Sequence, residues 1–174
     1  MKVLIAIDES ACSEAALTAV ADRHWPDNTQ FMLVSVVQPV VPEYSFSCGL
    51  AADVLLKAEE EQVEHMTKVV EQKSKILKQL FGENSTSATV IKGHIADAII
   101  DTAIDWDADS IVMGSHGRRG FQRFLLGSVA EKVACHAPCS VEIVKTKLSD
   151  QNGEHENSDA VEKDRAEQAT AKAT

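Results

Sequence analysis

The sequence predicts an α/β domain built on a parallel β-sheet, and three observations support this fold class. Short apolar runs alternate along the chain with longer segments of helical periodicity, the pattern of strand–helix–strand units. The apolar runs are continuous, as expected of strands that are buried on both faces of a sheet. The fourth run ends in a glycine-rich loop that leads directly into another helical segment.

Five strands and four helices are predicted from these runs. The strands are expected at residues 3–7, 31–37, 87–91, 110–113 and 140–144. The helices are expected after Ser10, whose hydroxyl suits an N-cap, and over residues 51–80, 95–106 and 127–136. A long loop containing Pro39 and Pro42 is expected to precede the second helix.

Two of these helices have clear apolar faces. The inward face predicted for the helix over residues 51–80 consists of Leu55, Leu56, Val63, Met66, Val69, Val70, Ile76, Leu77 and Leu80. The inward face predicted for the helix over residues 95–106 consists of Ala96, Ile99, Ile100, Ala103 and Ile104. Both patterns are typical of helices that cover a sheet.

Length and composition predict one soluble domain followed by a tail. The chain has 174 residues, of which 44% are hydrophobic and 25% charged. We expect the domain to cover residues 1–147. Residues 148–174 are expected to form a disordered acidic tail, because Val161 is the only large aliphatic residue from Ser149 onward.

Charge and hydropathy exclude several classes of partner. A formal net charge of −10 argues against nonspecific nucleic-acid binding. The apolar runs are too short to span a membrane, and the first of them ends at Asp8, too early for a signal peptide. A cytoplasmic location is therefore expected, without nucleic acid or membrane as partner.

Four cysteines are scattered without the spacing of a disulfide framework: Cys12, Cys48, Cys135 and Cys139. The segment Cys135-His136-x-x-Cys139 offers three possible metal ligands, two Cys and one His, but no second pair completes a tetrahedral set. We expect reduced, structural cysteines and no metal site.

The segment from Gly114 to Ser128 has the layout of a phosphate-binding loop. It reads Gly114-x-x-Gly117, nine further residues, and then Gly127-Ser128 at the start of a helix. Glycine lets backbone N–H groups approach a ligand closely, and a helix N-terminus favours an anion. The sequence therefore predicts a nucleotide site here.

A local basic cluster lies inside this segment and consists of Arg118, Arg119 and Arg123. Arginines on a loop are usually only solvated, but this position favours contact with phosphate. Rapid hydrolysis of a nucleotide is not expected, because the Lys of a P-loop is missing and no nucleophile with an acid partner accompanies His116. No catalytic residue is therefore assigned.

These residues resemble the universal stress protein family. The likeness rests on the strand that leads to Asp8, the G-x-x-G-x9-G-S spacing and the closing segment HAPCSVEIV, and it covers roughly residues 1–147. It implies a Rossmann-like open five-stranded parallel sheet in the order 3-2-1-4-5, with helices on both faces, and a homodimer. In a sheet of that order the strand order reverses between the first and fourth strands, and ligands of such sheets bind at this point.

Resemblance to the ATP-binding branch of the family implies a set of contact residues. These are Ala6, Ile7, Asp8, Val36, Met113, Gly114, Gly117, Gly127, Ser128, Val129 and Ala130. The strand residues would line the adenosine side, Gly114 and Gly117 would approach the sugar and phosphates, and the helix start would hold the outer phosphates. Some binders have a hydroxyl residue where Ala130 stands, so one phosphate contact is missing here.

The leading hypothesis is a cytoplasmic ATP-binding stress-response regulator that acts through nucleotide occupancy, with Mg²⁺ left open. It would form a homodimer through the last strand, from Ser140 to Lys145, because an unpaired edge strand is normally covered. One alternative is a slow ATPase or phosphate-transferring enzyme that uses the same crevice. Another is a dimeric interaction module without nucleotide, and a flavin site is less favoured.

Overall fold

The computed structural model describes residues 1–39, 49–117 and 126–146. Predictions that fall elsewhere lie outside the described residues: most of the long loop, the cluster of Arg118, Arg119 and Arg123, and the acidic tail. The five strands are β1 (Lys2–Ala6), β2 (Gln30–Val37), β3 (Thr86–Lys92), β4 (Ser110–Gly114) and β5 (Ser140–Val144). The helices are α1 (Ala11–Ala21), α2 (Gly49–Phe81), α3 (Ile95–Asp105) and α4 (Ser128–His136), and a 3₁₀ turn spans Glu83–Ser85.

The strands form one parallel sheet in the order β3-β2-β1-β4-β5, which confirms the predicted fold class. The chain moves outward from β1 to β3 on one side, then crosses to β4 and continues to β5 on the other. Strand order therefore reverses at the boundary between β1 and β4.

Each face of the sheet carries its own apolar core. One core packs α1 and α2 against the sheet, with Leu17 and Leu77 among its buried side chains. The other packs α3 and α4 against the opposite face, with Ile99 and Val133 among its buried side chains. Helices on both faces give the layered arrangement that the family resemblance implied.

The predicted inward faces of α2 and α3 are too wide. Leu56, Ile76 and Leu80 are 59%, 43% and 55% exposed on α2, and Ile104 is 56% exposed on α3. Neighbouring helical residues point about 100° apart, so two adjacent apolar residues rarely both face the sheet. Leu77, which is fully buried, takes the inward position beside Ile76.

Candidate functional site

The carboxyl ends of β1 and β4 lie side by side, because Ala6 and Met113 are partners in the sheet register. Asp8 follows β1, and Gly114 is the last residue of β4. Ligands of open α/β sheets bind in the crevice beyond such strand ends, where the strand order reverses. The residues around this crevice therefore form the candidate site.

Three predicted contact residues from the strands contribute to the core on one face of the sheet. Ala6 and Met113 are buried in the core under α3 and α4, and Val36 packs against it. Ile7 lies in the opposite core, under α1 and α2, and its N–H donates to the carbonyl of Val34 at 2.9 Å. The side chain of Ile7 therefore points away from the face that Ala6, Val36 and Met113 share.

The corner between β1 and α1 is held by a compact set of hydrogen bonds. Ser10 is the N-cap of α1 and accepts from the Ser13 N–H at 3.1 Å, as the sequence predicted. The carboxylate of Asp8 accepts from the Ser10 N–H at 3.1 Å, and the Asp8 N–H donates to the Ser13 hydroxyl at 3.3 Å. Glu9 takes a left-handed conformation with φ of 64° and contacts His65 of α2 at 2.9 Å.

The loop after β4 is tied to this corner. The Ser10 hydroxyl donates to the carbonyl of His116 at 3.1 Å. The Nδ1 atom of His116 lies 3.1 Å from the hydroxyl of Ser115, which is buried. His116 thus belongs to the hydrogen-bonding framework of the crevice wall.

Gly114 allows β4 and α1 to pack closely. A Cβ placed on Gly114 lies 2.6 Å from the carbonyl carbon of Cys12, 2.8 Å from its Cβ and 2.8 Å from the Ser13 nitrogen. Distances below about 3 Å to backbone atoms leave no room for a side chain. The first glycine of the motif is therefore required by packing within the chain, before any ligand is considered.

Gly117 lies against the carboxylate of Asp8. A Cβ placed on Gly117 lies 2.6 Å from Asp8 Oδ2. The structure thus brings together Asp8 and Gly117, two predicted site residues that are more than a hundred positions apart in the sequence. Because Gly117 has no side chain, the carboxylate of Asp8 can occupy this space.

The start of α4 presents backbone donors at the crevice. Gly127 is the N-cap, and its own N–H donates to the carbonyl of Ser115 at 2.8 Å. The first intrahelical bond runs from the Glu131 N–H to the Gly127 carbonyl, so the amides of Ser128, Val129 and Ala130 have no acceptor within the helix. Ala130 is buried, so its side chain packs in the core and only its amide is placed for a ligand.

Cys12 lies in the first turn of α1 beside Ser115 and Thr146, and the sequence analysis treated it only as a structural cysteine. Its sulfur lies 3.7 Å from the hydroxyls of Ser115 and Thr146. Burial raises the pKa of the Cys12 thiol, but hydrogen bonds from Ser115, Thr146 and the His116 backbone outweigh it and lower the pKa overall. Only the folded packing of α1 on Gly114 places this thiol there, and no local sequence signal marks it.

A small cavity of about 220 Å³ adjoins the start of α4 and also escaped the sequence analysis. It lies between the N-termini of α3 and α4, and His94, Ser128 and Lys132 are among its lining residues. Lys132 binds Asp97 at 2.6 Å, and this hydrogen bond lowers the pKa of the Asp97 carboxyl. A cavity of this size is too small for a whole drug-sized ligand, since such pockets usually exceed about 300 Å³.

A larger depression of about 730 Å³ lies at the opposite end of the sheet. Its lining includes Trp25, Phe31 and Phe81, whose rings pack edge-on and stacked with centroids 5.6 and 4.6 Å apart. It contains none of the predicted site residues and lies at the amino ends of β2 and β3. We therefore locate the candidate site at the carboxyl ends of β1 and β4. At this point the strand order reverses, and the first amides of α4 have no acceptor within the helix.

The described residues contain neither a cluster of metal ligands nor a helix that could span a membrane. Within residues 1–39, 49–117 and 126–146, no three His, Cys, Asp or Glu side chains group together as metal ligands. Over the same residues, every helix is too short or too polar to cross a membrane.

The sheet order, the two helical layers and the crevice between β1 and β4 define a Rossmann-like domain of the open, doubly wound class. The model of the universal stress protein family matches residues 1–145. The chain belongs to the universal stress protein family.

Relatives of nearly the same domain length share this family. The universal stress protein Sll1388 of Synechocystis is 26% identical over 151 residues, which cover 83% of this chain and 97% of the relative. A universal stress protein of Thermus aquaticus is 29% identical over 143 residues, which cover 82% of this chain and 97% of the relative.

Solved structures share the fold. The structure of MJ0577 has a TM-score of 0.72 and 25% identity, and the match covers 85% of this chain and 97% of that one. An Archaeoglobus fulgidus universal stress protein in complex with dAMP has a TM-score of 0.56 and 20% identity over 83% of this chain and 98% of its own. An Arabidopsis thaliana family member with AMP bound has a TM-score of 0.55 and 17% identity over 85% and 93%.

Proposed function

We propose that this stress-family domain binds an adenine nucleotide, ATP in particular, in the crevice between β1 and β4. Binding of the nucleotide in the crevice, with or without Mg²⁺ on its phosphates, would be the regulatory signal of the protein. The observation that carries the proposal is the open start of α4, which faces the crevice beside Asp8 and Gly117.

The phosphate side of the proposal rests on the amides of Ser128, Val129 and Ala130. Three successive N–H groups without intrahelical acceptors, together with the helix dipole, form a site suited to an anion. Because the Gly127 amide is already bonded to Ser115, we assign the phosphate contacts to the three residues after it.

The adenosine side rests on the apolar surface formed by Ala6, Val36 and Met113, which lie on the same face of the sheet. The Asp8 carboxylate lies at the edge of this surface and is oriented by the Ser10 amide. We assign Asp8 to a ribose hydroxyl, since an ionised carboxylate accepts hydrogen bonds. Solved relatives with AMP or dAMP bound support an adenine nucleotide as the ligand class.

Occupancy can act as a signal because the ligand would contact two segments that are joined by the loop after β4. Ser10 ties this loop to the β1–α1 corner, and Ser115 ties it to Gly127 at the start of α4. A nucleotide shifts the protein between states only through different affinity for each state. We therefore expect its effect to appear as a change in the arrangement of these segments.

The test removes one backbone donor without disturbing the helix. Ser128 is the first residue of α4, where proline fits the backbone, and Gly127 has the extended conformation that precedes proline (φ −74°, ψ 151°). Ser128→Pro deletes one N–H. Loss of a hydrogen bond to a charged group costs about 1.5–3 kcal/mol, so ATP affinity measured by calorimetry should fall roughly 10- to 150-fold.

Ser128→Ala is the matched control, because it removes the hydroxyl and keeps the amide. Its ATP affinity should stay nearer to that of the unchanged protein, and adenosine, which lacks phosphates, should bind all three forms alike. Equal ATP affinity of Ser128→Pro and the unchanged protein, with helix content preserved by circular dichroism, would refute the assignment of phosphate to α4.

The proposal includes a cytoplasmic homodimer that pairs through β5. The edge position of β5 in the sheet supports the dimer, since exposed edges are normally covered. Cys12, Cys135 and Cys139 are free thiols, as is usual for proteins of reducing compartments.

A further inference from the structure

The outer edge of β5, which pairs with no strand among the described residues, has a definable hydrogen-bonding pattern. The carbonyl of Val144 accepts from the Ser115 N–H at 2.8 Å, so Val144 directs its backbone groups toward β4. Backbone direction alternates along a strand, and Glu142 therefore also points its backbone groups toward β4. Val141 and Ile143 point theirs toward the open edge, where a further strand would pair.

Side chains on β5 alternate between the two faces of the sheet. Val141 and Ile143 pack against the core under α3 and α4, whereas Val144 packs against the core under α1 and α2. Glu142 lies on the same face as Val144, in the middle of the edge strand. An inward-pointing charge on an edge strand normally prevents pairing with another strand.

Arg23 neutralises this charge. Its two terminal nitrogens donate to the two carboxylate oxygens of Glu142 at 2.7 and 2.6 Å, a bidentate arrangement. The guanidinium also lies 5.0 Å from the ring centroid of Trp25, whose indole N–H is fixed by the Val20 carbonyl. The same hydrogen bond lowers the pKa of the Glu142 carboxyl, which keeps it ionised in partnership with Arg23.

Taking the β5 homodimer of the proposed function as antiparallel and centred on Glu142, we propose that Arg23 is the residue that permits Glu142 at this interface. The inference rests on the homodimer of the proposed function and adds what specifies its interface. A two-fold axis through Glu142 would place Val141 opposite the partner's Ile143, so apolar side chains meet on one face. Val141 and Ile143 also carry the outward backbone groups, so each of these pairs would exchange two hydrogen bonds.

The same axis brings the two Glu142 side chains together. They would form a pair without backbone hydrogen bonds, with Cα atoms about 4.5 Å apart. Like charges directly opposite each other destabilise a strand pair. One Arg23 in each copy supplies the compensating charge, so the dimer should tolerate Glu142 only while Arg23 is present.

The experiment is a double-mutant cycle on the full chain, with the dimer dissociation constant measured by analytical ultracentrifugation. Arg23→Ala should raise that constant roughly ten-fold or more, because two unneutralised carboxylates then meet. Glu142→Gln should leave it near the original value. Adding Arg23→Ala to Glu142→Gln should produce little further change, since no charge remains to be neutralised.

Controls separate neutralisation from a structural effect. Arg23→Lys keeps the positive charge and should retain more dimer than Arg23→Ala, even where removal of Arg23 lowers the melting temperature. The inference is overturned if Arg23→Ala raises the dimer dissociation constant equally in the unchanged chain and in the Glu142→Gln variant. It is also overturned if Arg23→Ala leaves this constant unchanged.

Ile143→Lys distinguishes failure of this inference from failure of the dimer itself. A monomeric chain at all concentrations, or a dimer that Ile143→Lys leaves intact, would remove both the β5 interface and the proposed register. A dimer that Ile143→Lys dissociates but Arg23→Ala does not would retain the β5 interface and overturn only the role of Arg23.

Discussion

Replacement of Gly114 by alanine tests whether the first glycine of the motif is a packing residue. The new Cβ would lie 2.6–2.8 Å from the backbone carbonyl carbon and Cβ of Cys12 and from the Ser13 nitrogen. These atoms belong to the first turn of α1, which is fixed by the Ser10 cap and cannot rotate away as a side-chain end can. The variant must therefore push α1 away from β4.

The size of the effect follows from two opposing contributions. Overpacking a core position costs about 1–3 kcal/mol. Replacing glycine by alanine lowers the conformational entropy of the unfolded chain, which raises the free energy of unfolding by about 0.4–1 kcal/mol. Because three close contacts occur at once, we expect a net loss of about 2 kcal/mol in the free energy of unfolding, or roughly 4–8 °C in melting temperature for a chain of this size.

Urea unfolding followed by circular dichroism measures this loss, and Gly117→Ala is the matched control. Its Cβ would also approach another atom to 2.6 Å, but that atom is Oδ2 at the end of the Asp8 side chain, which can turn aside. Gly117→Ala should leave stability nearly unchanged and weaken nucleotide binding. A stability loss for Gly114→Ala no larger than that for Gly117→Ala would refute the reasoning.

Two pKa shifts give further predictions. The carboxyl of Glu142 has a lower pKa in the folded chain, so its contribution to stability is complete above the unfolded pKa of about 4.3 and is lost as the pH falls through the folded pKa. The stability difference between the unchanged chain and Glu142→Gln should therefore shrink in urea titrations below about pH 4. Hydrogen bonds lower the pKa of Cys12, whereas burial raises that of Cys139. Alkylation by iodoacetamide, followed by peptide mass spectrometry, should show Cys12 reacting with a lower pH midpoint than Cys139, since the thiolate is the reactive form; a reversed order would contradict this.

The strands and their order could be predicted because the signals are local or follow from the family resemblance. Each strand is a continuous apolar run, and the structure extends the predicted runs by at most one residue at an end, apart from Ile7, which lies just beyond β1. The 3₁₀ turn Glu83–Ser85 was not predicted, because three polar residues after Gly82 resemble any turn. The helix faces were predicted too wide, since periodicity alone does not decide which of two adjacent apolar residues is inward.

The candidate site could be predicted only where its residues share a short segment or a strand end. Gly114, Gly117, Gly127 and Ser128 fall within one spacing pattern, and Asp8 directly follows a strand. The contact of Arg23 with Glu142 joins residues 119 positions apart, and no sequence pattern relates them. Long-range side-chain contacts of this kind depend on where α1 ends relative to β5, which only the folded sheet determines.

Each of the three glycines of the motif leaves space for a different neighbouring group within the chain. Gly114 leaves room for the first turn of α1, Gly117 for the carboxylate of Asp8, and Gly127 for the Ser115 carbonyl, which a Cβ would approach to 3.0 Å. Each glycine therefore has a reason to be present in the free protein, so loss of nucleotide binding in a glycine variant would not by itself locate the ligand. The amide of Ser128 has no such role in the helix, and its removal by proline reports on the ligand more directly than any glycine substitution.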